Sequence, residues 1–324
     1  MRCLIVHNPR SGFGSDAVFA FERELVRAGD ECLLRVLDDG FDVDRALEGA
    51  DGFDVVVLSG GDGTVSSLLY ALRDLSVPVC AFPSGTANLL FNNIGNSPEP
   101  AALARACRWG DVAPCDLGEV SWEDPDGRAH VRGFSIMAGS GFDAELMAAA
   151  APNKKAMGEA AYFMAALADP SPQVVTYRIE ADDEVYEREG IACLVANNAM
   201  IQGEIEIVPG CSMDDGLLDV IVLEAADAMQ LARPLLAGLL DRKGRALGRP
   251  KLETFRGREV RISASRPIPM QADGEVVCES VSSWSARVLP GAVRLVVDGL
   301  SRYRDPHPRR TPKFPVPEQI AFPK

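Results

Sequence analysis

The stretch Asp54-Val55-Val56-Val57-Leu58-Ser59-Gly60-Gly61-Asp62-Gly63-Thr64 runs from an apolar strand straight into a glycine-rich turn. A helix is expected after Thr64, so the stretch reads as one strand-loop-helix unit of an α/β sheet. Where a strand ends in glycines and hydroxyls, backbone N–H groups and the positive end of the next helix converge on a spot that favours an anion. Two further loops repeat the arrangement. Asn8-Pro9-Arg10-Ser11-Gly12 follows the strand Cys3 to Val6, and Pro83-Ser84-Gly85-Thr86-Ala87-Asn88 follows the strand Val77 to Phe82. Any one of them is explained by the backbone demands of a tight turn. The three in this order read as a cradle for a nucleotide polyphosphate. No Gly-x-x-x-x-Gly-Lys-[Ser/Thr] occurs in the chain, so a P-loop lysine is unavailable and the cradle is expected to work mainly through backbone donors and a metal.

Working outward, strands and helices alternate up to about residue 112. The helical stretches are Asp16 to Ala28, Asp42 to Leu47, the segment after Thr64, Ala87 to Asn93 and Pro98 to Trp109, and the extended ones include Glu31 to Leu37. This alternation predicts a parallel sheet whose glycine loops share the ligand-binding edge. After Cys115 the pattern changes. Val112 to Trp122, the turn Asp124-Pro125-Asp126-Gly127 and His130 to Ala138 read as a hairpin. Strand-like runs follow at Val174 to Glu180, Val185 to Glu189, Ile191 to Ala196, Leu217 to Leu223, Glu259 to Ala264, Ser283 to Leu289 and Ala292 to Val297. The expectation is an N-terminal open α/β nucleotide-binding domain (1–114), a C-terminal antiparallel β-sandwich domain with helical insertions (115–300) and a Pro-rich tail (301–324). The insertions are Phe142 to Ala168 and Asp227 to Leu240. The first, with Met147, Met157 and Met164, suits either an apolar wall for an acyl chain or a helix pair capping the sheet.

The chain has 324 residues, 47% of them hydrophobic, and a formal net charge of −14. That length supports two domains, and that charge argues against nucleic acid as the main partner. Residues 242–261 are locally basic (Arg242, Lys243, Arg245, Arg249, Lys251, Arg256, Arg258 and Arg261), which fits a solvated helix end and hairpin or a surface meeting anionic lipid headgroups. The N-terminus lacks the apolar core and cleavage site of a secretory signal, and no apolar run approaches the roughly 20 residues that span a bilayer. Eight scattered cysteines without a Cys-x-x-Cys pair read as reduced, buried thiols of a cytoplasmic protein.

Several motifs have two readings. Asp62, an acid flanked by glycines at a strand end, is placed to reach a metal or a nucleophile. Thr64 and Thr86 can cap helices or donate to a phosphate oxygen. Gly139-Ser140-Gly141-Phe142-Asp143-Ala144 matches a dinucleotide fingerprint in form but lies outside any βαβ unit, so a nicotinamide role is set aside, with Asp143 left as a polar group for the cleft. Pro209 to Asp219 opens a strand with carboxylates and is a candidate hard-cation site or an ordinary acidic turn. In Met270-Gln271-Ala272-Asp273-Gly274-Glu275, Asp273 and Glu275 share a side if the segment is extended, or belong to a β-turn with solvated acids.

Together these segments resemble the diacylglycerol kinase catalytic-domain family, the lipid kinases that include bacterial diacylglycerol kinases and sphingosine kinases. The likeness rests on Asn8-Pro9-x-Ser11-Gly12, Gly60 to Thr64, Pro83-x-Gly85-Thr86-x-Asn88, Gly139-x-Gly141-Phe142-Asp143, Asp214 to Asp219 and Asp273-Gly274-Glu275, and it runs from about Arg2 to Val297. The resemblance implies that ATP is held by Asn8, Pro9, Arg10, Ser11, Gly12, Gly60, Gly61, Asp62, Gly63, Thr64, Gly85, Thr86 and Asn88. It implies a structural Mg²⁺ at Ser212, Asp215 and the Leu217 carbonyl, lipid beside Asp143, and a proton acceptor at Asp273 or Glu275, with Asp62 as the rival base. The implied reaction moves the γ-phosphoryl group of ATP to a lipid alcohol at a membrane surface, with Mg²⁺ neutralising phosphate charge. A non-catalytic nucleotide- or lipid-binding homologue and an NAD kinase are the alternatives, and a homodimer is left open. Ser66-Ser67 and Leu89 stand where many bacterial diacylglycerol kinases have Asn-Glu and Asp, which alters the polar contacts available in the cleft.

Overall fold

In a computed structural model of the chain, the structure describes residues 1–11, 16–142, 144, 173–201, 205–224, 241–244 and 252–304. The first half carries four parallel strands, β1 (Arg2–His7), β2 (Glu31–Val36), β3 (Val55–Gly60) and β4 (Pro78–Pro83), in the order β4-β3-β1-β2. Every residue of β3 is buried, as expected of a central strand covered on both faces. Alternate residues divide between two cores. Leu4, Val6, Val56 and Leu58 meet Leu68, Leu69 and Leu72 of α3 (Asp62–Leu72) on one face. Cys3, Ile5, Val55 and Val57 meet Val18, Phe21 and Leu25 of α1 (Ala17–Arg27) and Leu103 of α5 (Pro100–Trp109) on the other. Two short helices, α2 (Val43–Ala46) and α4 (Leu89–Ile94), complete this half. Each fully buried aliphatic side chain contributes about 1.5–3 kcal/mol, so these two layers fix the sheet edge that carries the loops.

The second half is mostly antiparallel. Its strands are β5 (Asp111–Glu123), β6 (Ala129–Phe134), β7 (Met137–Gly141), β8 (Val175–Ala181), β9 (Glu184–Gly190), β10 (Ala192–Ala196), β11 (Met200–Ile201), β12 (Ile205–Glu206), β13 (Leu218–Leu223), β14 (Leu252–Gly257), β15 (Glu259–Ala272) and β16 (Glu275–Val297). The ladder β14-β13-β10-β7-β15-β16 leads into β4, with β5 and β6 joined through β16 and β8 and β9 through β15. Its own core holds Tyr177, Ile179, Val195, Val220, Ile262 and Trp284.

Three details differ from the sequence-based expectation. The runs Ser283 to Leu289 and Ala292 to Val297 are one strand, β16, which passes a register shift between Leu289 and Val293 and then pairs in parallel with β4. β5 also serves both cores, through Cys115 and Leu117 on one side and Val120 and Trp122 on the other. The halves therefore share strands. The expected run His130 to Ala138 splits into β6 and β7, because the N–H groups of Ser135, Ile136 and Met137 turn to a carboxylate described below. Gly139 and Gly141 lie inside β7, and a Cβ at Gly141 would come within 2.5 Å of the Ile191 carbonyl, so Gly141 serves strand packing. All eight cysteines are free thiols, six of them buried. Most of the first helical insertion, including Met147, Met157 and Met164, all of the second, and residues 305–324 of the tail lie outside the described residues.

Candidate active site

The three loops meet at one sheet edge, joined to each other by hydrogen bonds. The Asn8 N–H donates to Ser59 O (2.7 Å), and its side-chain Nδ2 donates to Thr64 Oγ1 (3.0 Å). Gly61 N–H donates to Ser11 Oγ (2.8 Å), so this donor and this hydroxyl tie the first loop to the second. Close approach explains Gly85, where a Cβ would lie 2.8 Å from Gly61 Cα and 3.3 Å from Gly60 O. Asn88 takes a left-handed conformation (φ 49°), and its amide closes its own loop, accepting from Gly85 N (2.7 Å) and donating to Gly85 O (2.9 Å). Pro9, Arg10 and Thr86 are exposed at the rim, with Arg10 ion-paired to Asp39. Gly12 and Asp143 lie outside the described residues.

The 11-residue helix α3 opens directly from the second loop, with Gly61 as its N-cap and Val65 N bonded to Gly61 O. Helix geometry leaves the Gly63 and Thr64 N–H groups without intrahelical acceptors, the arrangement that suits a phosphate. Asp62 Oδ1 accepts from Leu90 N (3.2 Å) and ties α3 to the start of α4.

The second half delivers its acids to this helix. Asp273 (φ 46°) and Gly274 (φ 79°) form a two-residue turn between β15 and β16, with Ala272 paired to Glu275. This corrects the extended reading, in which Asp273 and Glu275 share a side. Asp273 turns inward, where its carboxylate accepts from Ser135 N (2.7 Å), Ser135 Oγ (3.2 Å), Ile136 N (2.9 Å) and Met137 N (3.0 Å). Burial pushes its carboxyl above the ordinary 3.8, against the pull of the Ser66 hydroxyl and of these N–H groups. Glu275 turns outward to α3, and a Cβ on Gly63 would collide with its carboxylate. Arg132 of β6 donates from Nη2 to Glu275 Oε2 (2.5 Å). A single hydroxyl-bearing helix thus carries the cradle at its tip, Ser66 beside Asp273, and Gly63 beside Glu275.

The acidic turn lies apart from this constellation. Ser212 Oγ donates to Asp214 Oδ1 (2.5 Å), and Asp215 Oδ1 accepts from Leu217 N (3.0 Å). Burial raises the Asp215 carboxyl, while Arg256 stands 3.8 Å from its other oxygen and binds Asp219 at 2.7 Å. Asp116, the nearby acid, is spent on Gly216 N and Gly291 N (2.7 Å each). Among the described residues no three His, Cys, Asp or Glu side chains group as metal ligands. Asp215, the carboxylate of the implied Mg²⁺ set, lies 3.8 Å from a guanidinium that already binds Asp219, and this arrangement does not fit a divalent cation. Sequence reasoning missed the amide nest at 135–137 and Arg132, whose partners lie more than 130 positions away. It noted Ser66 only as a departure.

The profile described as "Diacylglycerol kinase catalytic domain" matches residues 2–120, and that described as "YegS C-terminal NAD kinase beta sandwich-like domain" matches residues 136–297. A "Probable lipid kinase YegS-like" of Pseudomonas aeruginosa is 33% identical over 235 residues, covering 70% of this chain and 73% of that protein. A "Diacylglycerol kinase" of Mycobacterium tuberculosis is 27% identical, covering 89% and 93%. A crystal structure of a diacylglycerol kinase from Bacillus anthracis shares the fold, with a TM-score of 0.64 at 18% identity, covering 92% and 97%. With its N-terminal α/β half, its β-sandwich half and these matches along nearly its whole length, the chain belongs to the diacylglycerol kinase catalytic-domain family of lipid kinases.

Proposed function

We propose that this family member transfers the γ-phosphoryl group of ATP, entering as its magnesium complex, to the hydroxyl of a lipid alcohol of the diacylglycerol or sphingoid-base kind. One observation carries the reading: the Glu275 carboxylate from the second half lies against Gly63 in the first turn of α3, where the phosphate cradle of the first half ends. Glu275 is the proposed proton acceptor. The lipid hydroxyl gives its proton to a carboxylate oxygen, its oxygen bonds to the γ-phosphorus, and the bond from that phosphorus to the β,γ-bridging oxygen breaks to leave ADP. Magnesium carried by the nucleotide neutralises charge on the phosphates. Asp273, with both oxygens engaged by backbone donors, holds the turn that presents Glu275. Asp62 braces α4 against the cradle. Asn8, Ser11, Gly60, Gly61, Gly63, Thr64 and Gly85 shape the nucleotide pocket.

A lipid acceptor implies transient contact with a membrane surface, and no helix among the described residues is long and apolar enough to cross a membrane. The names of the relatives support a lipid acceptor. The test is incubation of purified protein with MgATP and separate vesicles of diacylglycerol, monoacylglycerol, sphingoid base and ceramide, with products identified by mass spectrometry. A phosphorylated lipid is expected from at least one. Nucleotide binding without lipid-dependent turnover would overturn the reading in favour of a non-catalytic homologue, and phosphorylation of NAD in place of lipid would make the protein an NAD kinase.

A further inference from the structure

Arg132 has no part in the reading above, yet it is the cation that meets the proposed base. Its Nη2 lies 2.5 Å from Glu275 Oε2, and the Arg132 side chain is 28% exposed against 55% for Glu275. A glutamate on a strand end with more than half of its side chain exposed would otherwise sample several rotamers. The arginine, by contrast, stands on a strand that is fixed to α3. Its neighbour Gly133 is pressed so closely under the Tyr70 ring that a Cβ there would collide with it. Tyr70 Oη donates to Glu119 Oε2 (2.5 Å), Arg287 donates to Glu119 Oε1 (2.6 Å), and Glu119 is the β5 partner of Gly133 in the ladder. Helix α3, β5 and β6 are therefore locked together one residue away from Arg132. The same lock sets the height of the guanidinium relative to the helix tip.

We propose that Arg132 is a positioning residue for phosphoryl transfer, which holds the Glu275 carboxylate beside the first turn of α3 by a charge-assisted hydrogen bond. Two anions, the carboxylate and the terminal phosphate, must share that turn during the reaction. The guanidinium supplies the compensating charge at Oε2, while Oε1 is the oxygen nearest Gly63. Its loss frees Glu275 to turn to water, which slows the chemical step and leaves the nucleotide cradle as it was.

The inference rests on the kinase reading, so the wild-type protein is assayed first with the lipid vesicles and MgATP. Absence of any phosphorylated lipid defeats that reading and this inference with it. With an active wild type, Arg132→Gln is expected to lower kcat by roughly 10- to 100-fold with KM for ATP within about 3-fold. Arg132→Lys, which keeps the charge, should recover part of the loss, and so should guanidinium ion added to Arg132→Gln. Unchanged kcat in Arg132→Gln defeats the inference alone. So does a loss that Arg132→Lys and guanidinium both fail to restore and that tracks a fall in melting temperature, since that would make Arg132 a purely structural residue.

Discussion

At Asp273 the backbone itself is unusual: an aspartate with φ 46°, followed by a glycine with φ 79°, makes a turn that few residue pairs can adopt. The turn aims the carboxylate at three backbone N–H groups and the Ser135 hydroxyl. Burial nevertheless dominates and raises its carboxyl above 3.8, so the folded protein holds this proton more tightly than the unfolded chain. The contribution of that group to stability is full below the unfolded value and is lost as pH rises through the raised one. Melting curves between acid and neutral pH should show that dependence in the wild type and its loss in Asp273→Asn. At neutral pH the same variant should lose about 1–3 kcal/mol, because its NH₂ would face donors. Identical pH profiles for the two proteins would contradict this account. Gly63 gives a cleaner separation of stability from activity. Alanine favours a helix over glycine by about 1 kcal/mol, so Gly63→Ala should melt no lower than wild type. Its Cβ would displace Glu275, and kcat should fall by roughly 10- to 100-fold. Full activity in Gly63→Ala would show that the carboxylate need not lie there.

Among the elements, the acidic turn before β13 shows how one strand pair can settle a charge problem. Asp219 and Arg256 are Cα partners on β13 and β14, and the Asp219 side chain is buried beneath the guanidinium. The same Arg256 reaches Asp215 at 3.8 Å and Gly210 O at 3.3 Å. This internal cation compensates the turn where the family resemblance implies Mg²⁺ at Ser212, Asp215 and Leu217. The melting temperature should therefore be the same, within about 1 °C, in excess chelator and in millimolar Mg²⁺ without nucleotide. A rise of several degrees with Mg²⁺ would mean that the turn binds the ion and that Arg256 yields to it. Within the basic segment 242–261, Arg256 is paired with Asp219, although 41% of its side chain stays exposed.

For the whole molecule, what could be read from the sequence was whatever short-range pattern encodes. The three strand-to-helix loops carry their signal within a few residues each, and the fully apolar Val55 to Leu58 is what a strand covered on both faces requires. The alternation of helices and strands up to Trp109 follows for the same reason. The Asp273-Gly274 pair is itself a hairpin signal, but its meaning depends on Ser135 to Met137, more than 130 residues away, and nothing local announces that nest. Arg132 is equally silent in sequence, a single arginine in a polar strand. Pro290-Gly291 reads as a break between two strands, yet β16 runs through it, because Gly291 N–H is held by Asp116 and the ladder to β5 resumes after the shift. That continuity lets β16 begin at the proposed base and end beside β4, so one strand joins Glu275 to the parallel sheet.

The central claim is that Glu275 acts on the acceptor hydroxyl while the glycine loops hold the nucleotide. It is tested most directly by Glu275→Gln, with turnover measured at saturating lipid and MgATP and nucleotide affinity measured by calorimetry on the same preparation. The account predicts a fall in kcat of about 100-fold or more with an ATP dissociation constant within about 3-fold of wild type. Retained turnover, or a loss of affinity that matches the loss of rate, would contradict it.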